Sequence, residues 1–349
     1  MTADRATTAP QAPPRSRERR LAPVFALLFL APWAAECSWG GFTLADTPFV
    51  VVILAPLYGA AAVLIREVAR RTGGGWPAIA LLAAAFGVYQ AGLVDQALFN
   101  DAYLDDTQFA DWSAAARATE VPLLGFNAEQ AVAFIGNHIV LTICAPIAIV
   151  ESFLGRERRH RPWLGVPGLI AVGVLLLLGS LMVFTDDGGR KGLMATPLQL
   201  SFAAVTVLAL IAVAMLPRWR RRDRRVAGPA TRKAPRAVWV GLVALGAHVA
   251  GSLMSGWGGV VLRLAAAVVA AAVIVTWSRR TAWEQPHVLA AWSAGLVSAA
   301  AFAYLTPTYE PSGPVAALVG DIAVSVVALT LVTSAFWKLR HEARRSQQP

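Results

Sequence analysis

Residues 48–71 read PFVVVILAPLYGAAAVLIREVARR, an apolar run closed by arginines at positions 66, 70 and 71. About 20 mainly apolar residues let an α-helix cross a hydrocarbon core of about 30 Å. A Lys/Arg cluster directly after such a run marks a cytoplasmic loop. The same alternation, apolar run then short loop, is found along the rest of the chain.

Working outward from this stretch, ten segments have suitable length and composition: approximately 21–39, 48–68, 76–96, 128–150, 163–184, 198–216, 237–255, 258–277, 286–306 and 315–337. The chain is 56% hydrophobic and only 15% charged, against about 25% charged in soluble domains. With a mean hydropathy of +0.55, the solvent it is built for is lipid. An open strand would leave backbone groups unpaired there, so the spans must be helices. The fold class is therefore all-α, a polytopic transmembrane helix bundle of about ten spans.

The net charge of +10 is distributed in short clusters between apolar runs, which excludes nucleic acid as the partner it serves. RSRERR, REVARR, RERRHR, PRWRRRDRR, SRR and KLRHEARR fall on one side, and only Arg117, Arg190 and Lys191 on the other. By the positive-inside rule both termini are cytoplasmic and the chain is a multi-pass plasma-membrane protein in contact with membrane lipids. Lysine occurs only at 191, 233 and 338, and with the abundance of alanine this is the composition of a high-GC bacterial coding bias.

The organisation reads as a disordered N-terminus over 1–20, a six-helix membrane half over 21–216, a basic linker over 217–236, a four-helix Ala/Gly-rich half over 237–337 and a tail over 338–349. A five-plus-five division into inverted repeats rests on the span count alone. The outside loop 97–127 is acidic, and DDTQFADWSAAARA within it predicts a short surface helix capped by Asp106 or Thr107. Cys37 and Cys144 fall near opposite membrane faces and are expected to be free thiols. Glu36 before Cys37 argues against a lipoprotein cleavage site.

Ionisable groups inside a span are costly and define the candidate site. In FGVYQAGLVDQALFND, residues 86–101, Asp95 and the residues after it reach water, whereas Gln90 lies deeper. Glu36 sits near the outer end of span 1 between Trp33 and Trp39. Span 4 places Gln130, Phe134, Asn137 and His138 on one face by their spacing. Glu36, Gln90, Asp95, Asn137 and His138 are the candidate substrate-binding residues. Arg263 in span 8 and Asp321 in span 10 match in depth and are expected to form a structural ion pair. His248 reads as a packing residue, and Glu67 as part of a cytoplasmic charge cluster. Pro32, Pro56 and Pro146 are expected to loosen spans 1, 2 and 4.

RTGGGW at 71–76 lacks the Lys-Ser/Thr of a phosphate loop, and HExxH, CxxC and GxSxG are absent from the sequence. No cofactor and no metal is expected. GVYQAGLVDQALFN (87–100), NHIVLTICAPIAIVES (137–152) and RPWLG (161–165) resemble an uncharacterised group of bacterial multi-pass membrane proteins over the first half of the chain. In that group a Glu-Glu pair precedes the Gly-Leu, where this chain has Gln90 and Ala91. Phe134 to His138 also shows a distant resemblance to the CAAX-protease and bacteriocin-processing membrane family through its Phe-x-x-x-His motif, although the Glu-Glu-x-x-x-Arg is missing.

Three functions remain open: transport of a small solute or lipid through a polar cavity in the outer half of spans 1, 3 and 4; a hydrolase-like intramembrane enzyme using His138 with a nearby carboxylate; and a structural or partner-binding role. Substitution separates them. A transport site should lose function without losing protein, an enzyme should alter a lipid or peptide covalently, and a packing histidine should cost folded protein.

Overall fold

The computed structural model describes residues 17–186, 190–219, 232–252 and 254–345. The disorder expected over 1–20 falls largely outside these residues, as do most of the basic linker and the last four positions. Among the described residues there are ten apolar helices: α1 (Leu21–Cys37), α2 (Thr47–Arg71), α3 (Trp76–Val94), α4 (Ala128–Ser152), α5 (Val166–Thr185), α6 (Pro197–Ala214), α7 (Ala237–Gly251), α8 (Gly256–Ser278), α9 (Gln285–Leu305) and α10 (Pro314–Arg345). Eight are long and apolar enough to cross a membrane; α1 and α7 are shorter.

Hydrogen bonds between connections sort them onto two ends of the bundle. At one end Gln108 N meets the Tyr309 carbonyl at 3.2 Å, Tyr309 N meets the Gly41 carbonyl at 2.9 Å, and Gln199 Nε2 meets the Leu124 carbonyl at 2.8 Å. Asp101, Asp105, Asp106 and Asp111 are exposed there, so this end is the acidic face. At the other, Gly75 N reaches the Trp219 carbonyl at 2.9 Å, Ala234 N the Thr281 carbonyl at 2.8 Å, and Arg156 N the Glu342 carboxylate at 3.0 Å. This is the basic face.

Helices α1 to α4 and α9 make the centre, with Leu27, Leu57, Ile79, Ile143, Ile147, Leu289 and Leu296 fully buried. Helices α5, α6 and α8 turn Leu177, Leu178, Leu208, Val261 and Val268 outward. Apolar surface on that scale is stable only against lipid or another protein.

The prolines leave a specific mark. A proline inside a helix supplies no N–H and pushes against the carbonyl four residues back. Pro32 precedes a π-helical turn at Trp33–Cys37, Pro56 lies within one at Ala55–Gly59, and Pro146 follows one at His138–Cys144. A fourth, Gln90–Val94, ends α3. Such widened turns accommodate the missing bond. The Leu28 carbonyl, left without a donor by Pro32, lies against Gly59 so closely that a Cβ there would stand 2.1 Å from the oxygen. Gly179 of α5 meets the same widened turn, its would-be Cβ 2.6 Å from Leu57 N.

A buried ion network closes the basic face. Arg66 Nε and Arg70 Nη2 hold the Glu151 carboxylate at 3.1 and 2.7 Å, and Arg66 Nη1 holds Glu67 at 2.7 Å. Glu67 accepts the backbone N–H groups of Trp163 and Leu164 at 2.8 and 3.2 Å. The Arg66 guanidinium lies 3.6 Å from the Trp163 ring centre. Arg159 links this network to Glu342 of α10 at 2.5 Å. The charge cluster expected around Glu67 is thus an internal clamp joining α2, α4, RPWLG and the C-terminal helix.

Candidate functional site

All four π-helical turns bring a polar side chain into the half of the bundle nearer the acidic face: Glu36 on α1, Tyr58 on α2, Gln90 on α3 and His138 on α4. Tyr58 lies close enough to the Glu36 carboxylate to interact with it electrostatically. Gln90 Nε2 donates to Asp95 Oδ2 at 3.2 Å, and Asp95 Oδ1 accepts the Ala97 N–H at 3.0 Å, which ends α3. Glu36 and Asp95 lie close enough to interact electrostatically. Both are half-buried, whereas Tyr58, Gln90 and His138 are buried.

Asn137 Nδ2 donates to the carbonyl of Ala35 at 3.2 Å, a carbonyl that also accepts Trp39 Nε1 at 2.7 Å. The C-terminal turn of a helix has such carbonyls to spare. His138 packs its ring against Tyr58 and Phe86, with centroids 5.3 and 5.6 Å apart. Its Nδ1 pairs with Thr142 Oγ1 at 3.0 Å. Among the described residues no carboxylate bonds His138, so the histidine–carboxylate pair on which an enzymatic reading depends is not formed there. Tyr58 packs against His138 and lies near Glu36.

The face of α4 expected from spacing is divided among three tasks. Gln130 bonds Asn127 and Ser113, both at 3.1 Å, under the short helix Ala110–Ala116. Phe134 meets the rings of Tyr103 and Trp112. Only Asn137 and His138 reach the polar cluster. The short helix begins at Ala110 rather than at the predicted cap. Thr107 lies two residues before the cap position, Phe109, its hydroxyl accepting the Phe109 N–H at 3.1 Å.

Two tyrosines from connections complete the cluster, and sequence reasoning missed both, with Tyr58. Burial pushes the Tyr309 hydroxyl well above its ordinary pKa, with the Glu36 and Asp95 carboxylates adding to it. Burial does the same to Tyr103, with Asp95 the next cause. Both phenols stay protonated. Above them Trp39, Phe109 and Tyr309 pack edge to face, with centroids 5.2 to 5.8 Å apart. Gln108 Nε2 ties this aromatic cap to the Thr308 and Glu310 carbonyls at 3.1 and 3.2 Å. The only sequence signal for the tyrosines was an aromatic residue in an acidic or proline-rich loop.

The Arg263–Asp321 ion pair does not form. Arg263 Nε donates to the Gly251 carbonyl at 2.9 Å, back along the α7–α8 hairpin. Asp321 instead faces the α1–α2 connection, with Oδ1 2.9 Å from where a Gly40 Cβ would stand. Equal depth placed the two residues at one level but not on facing sides. His248 packs against Gly295 of α9, a contact of the packing kind. Among the described residues no three His, Cys, Asp or Glu side chains converge as metal ligands. Cys37 and Cys144 are buried free thiols.

No curated protein and no solved structure matches the chain. The family match extends well past the first half, to which the sequence resemblance was confined, and it is not to the CAAX-protease family. With its model matched over residues 25–343, the chain belongs to an uncharacterised family of membrane proteins.

Proposed function

We propose that the protein is a transporter, carrying a small solute through the polar cluster between α1, α2, α3 and α4. The observation that supports this is the convergence of four widened helical turns, each delivering a polar group to one place. Broken or widened helices at a membrane-embedded site free backbone groups and permit rearrangement, as transporter helices do. A purely structural cluster would satisfy its polar groups, because an unpaired one in a low-dielectric interior is costly. Here Gln90 Oε1 and Asn137 Oδ1 are buried without a partner. The positive-inside rule sets the basic face in the cytoplasm and the aromatic cap outside, in a bacterial plasma membrane with ten crossings.

The test is accessibility of position 138 from each side. In a background with Cys37 and Cys144 replaced, His138→Cys is treated with a membrane-impermeant thiol reagent in right-side-out and inside-out vesicles. Transport requires labelling from both sides. Labelling from outside alone would point to an intramembrane enzyme, and none in a folded protein would leave helix packing as the account of α4.

A further inference from the structure

The cluster is short of one kind of partner. Glu36 and Asp95 form no ion pair among the described residues, although other acidic-face carboxylates do, as Asp105 does with Arg117 and Asp106 with Lys191. Lys191 approaches the rim, 5.4 Å from the Tyr103 ring centre, but its charge is engaged by Asp106. The unpartnered atoms are acceptors as well. Gln90, only 1% exposed, and Asn137 each keep a bare amide oxygen. The Asn137 amide orientation is fixed because its nitrogen faces the Ala35 carbonyl, an acceptor, and an ionised Asp95 fixes that of Gln90 in the same way.

What is missing is therefore positive and rich in hydrogen-bond donors. A proton on each carboxylate would remove the charge, and on Asp95 it would let a turned Gln90 amide accept, but it would leave the Asn137 oxygen bare. Among the described residues no three His, Cys, Asp or Glu side chains converge as metal ligands, and the aromatic rings beside the carboxylates offer a metal ion no ligand. An ammonium group has three N–H donors and no acceptor, and the rings of Trp39, Tyr58 and Tyr309 beside the carboxylates suit a cation carrying apolar bulk. Resting on the transport reading, we propose that the solute is an organic primary ammonium, held between Glu36 and Asp95 with the Gln90 and Asn137 side-chain oxygens as further acceptors.

The test titrates the purified full-length protein with 2-phenylethylammonium chloride at constant ionic strength and follows the melting temperature, which rises by mass action if the folded state binds. The neutral 2-phenylethanol is the control. The expected result is saturable stabilisation by the amine alone, with affinity weakened at least about tenfold in Glu36→Gln and in Asp95→Asn, as for loss of a charged hydrogen bond. Glu36→Asp should restore part of it. Each variant's melting without ligand reports whether it folds. Equal response to amine and alcohol, or unchanged affinity in folded Glu36→Gln and Asp95→Asn, would overturn the proposal.

A second arm compares nanodiscs of phosphatidylcholine alone with nanodiscs containing phosphatidylethanolamine. Carboxylate-dependent stabilisation by the ethanolamine lipid, absent with the soluble amine, would assign the same ammonium chemistry to a lipid headgroup. Because binding is read without transport, the two ideas fail separately. Amine binding with one-sided labelling at position 138 would refute transport and keep the site. Two-sided labelling without amine binding would do the reverse.

Discussion

Removing Glu151 should uncouple the basic-face clamp, and its effect follows from the geometry. Its side chain is fully buried and receives Arg66 Nε at 3.1 Å, Arg70 Nε at 3.0 Å and Arg70 Nη2 at 2.7 Å. Arg66 retains Glu67 in Glu151→Ala, but Arg70 keeps just a 3.4 Å hydrogen bond to the Gly74 carbonyl and the Trp76 ring 5.9 Å away, neither of them an anion. Breaking a buried pair from one side costs about 3–5 kcal/mol, because the surviving charge stays buried and uncompensated. At about 1.4 kcal/mol per decade, the folding equilibrium should fall by roughly two to three and a half orders of magnitude. The assay is reversible unfolding in mixed micelles of increasing denaturing-detergent fraction, followed by tryptophan fluorescence. The paired replacement Arg70→Met with Glu151→Leu should recover much of the loss, since apolar groups of similar volume carry no desolvation penalty. A Glu151→Ala loss under about 1 kcal/mol, typical of an exposed pair, would refute the claim that this network is dry and closes the fold.

Two further outcomes follow from local geometry. Gly59→Ala would drive a methyl group against the Leu28 carbonyl, which cannot move without bending α1. It should destabilise by about 1–3 kcal/mol or more, while Gly136→Ala, with nothing within 4 Å of its would-be Cβ, should not; parallel melting curves check the pair. The hydrogen bond and charge of Lys191 hold the Asp106 carboxyl below the usual carboxylate range. Its contribution is therefore fully present above the unfolded pKa of about 3.9 and is lost as pH falls through the lower folded value. Its side chain is 69% exposed, so solvent screening should limit Asp106→Asn to under about 1 kcal/mol at pH 7, with the difference from wild type shrinking in melts at progressively lower pH.

The residues themselves decided the lipid solvent, the helical segments, the two families of connections and several members of the polar cluster. These are local or compositional properties. A run of apolar residues needs no partner to be read as a helix in lipid, and an arginine cluster needs none to mark a loop. The rotations of the helices were hidden. A helix apolar on all sides has no amphipathic stripe to say which face turns inward, so Arg263 and Asp321 could be matched in depth but not in direction. One extra residue in a π-helical turn swings everything beyond it by about 100°, which spacing on an ideal helix cannot anticipate. Packing alone therefore brought Tyr58, Tyr103 and Tyr309 to Glu36 and Asp95, gave His138 a threonine in place of a carboxylate, and left Gln90 and Asn137 with bare oxygens, because those contacts join positions as far apart in the chain as α1 and the α9–α10 connection.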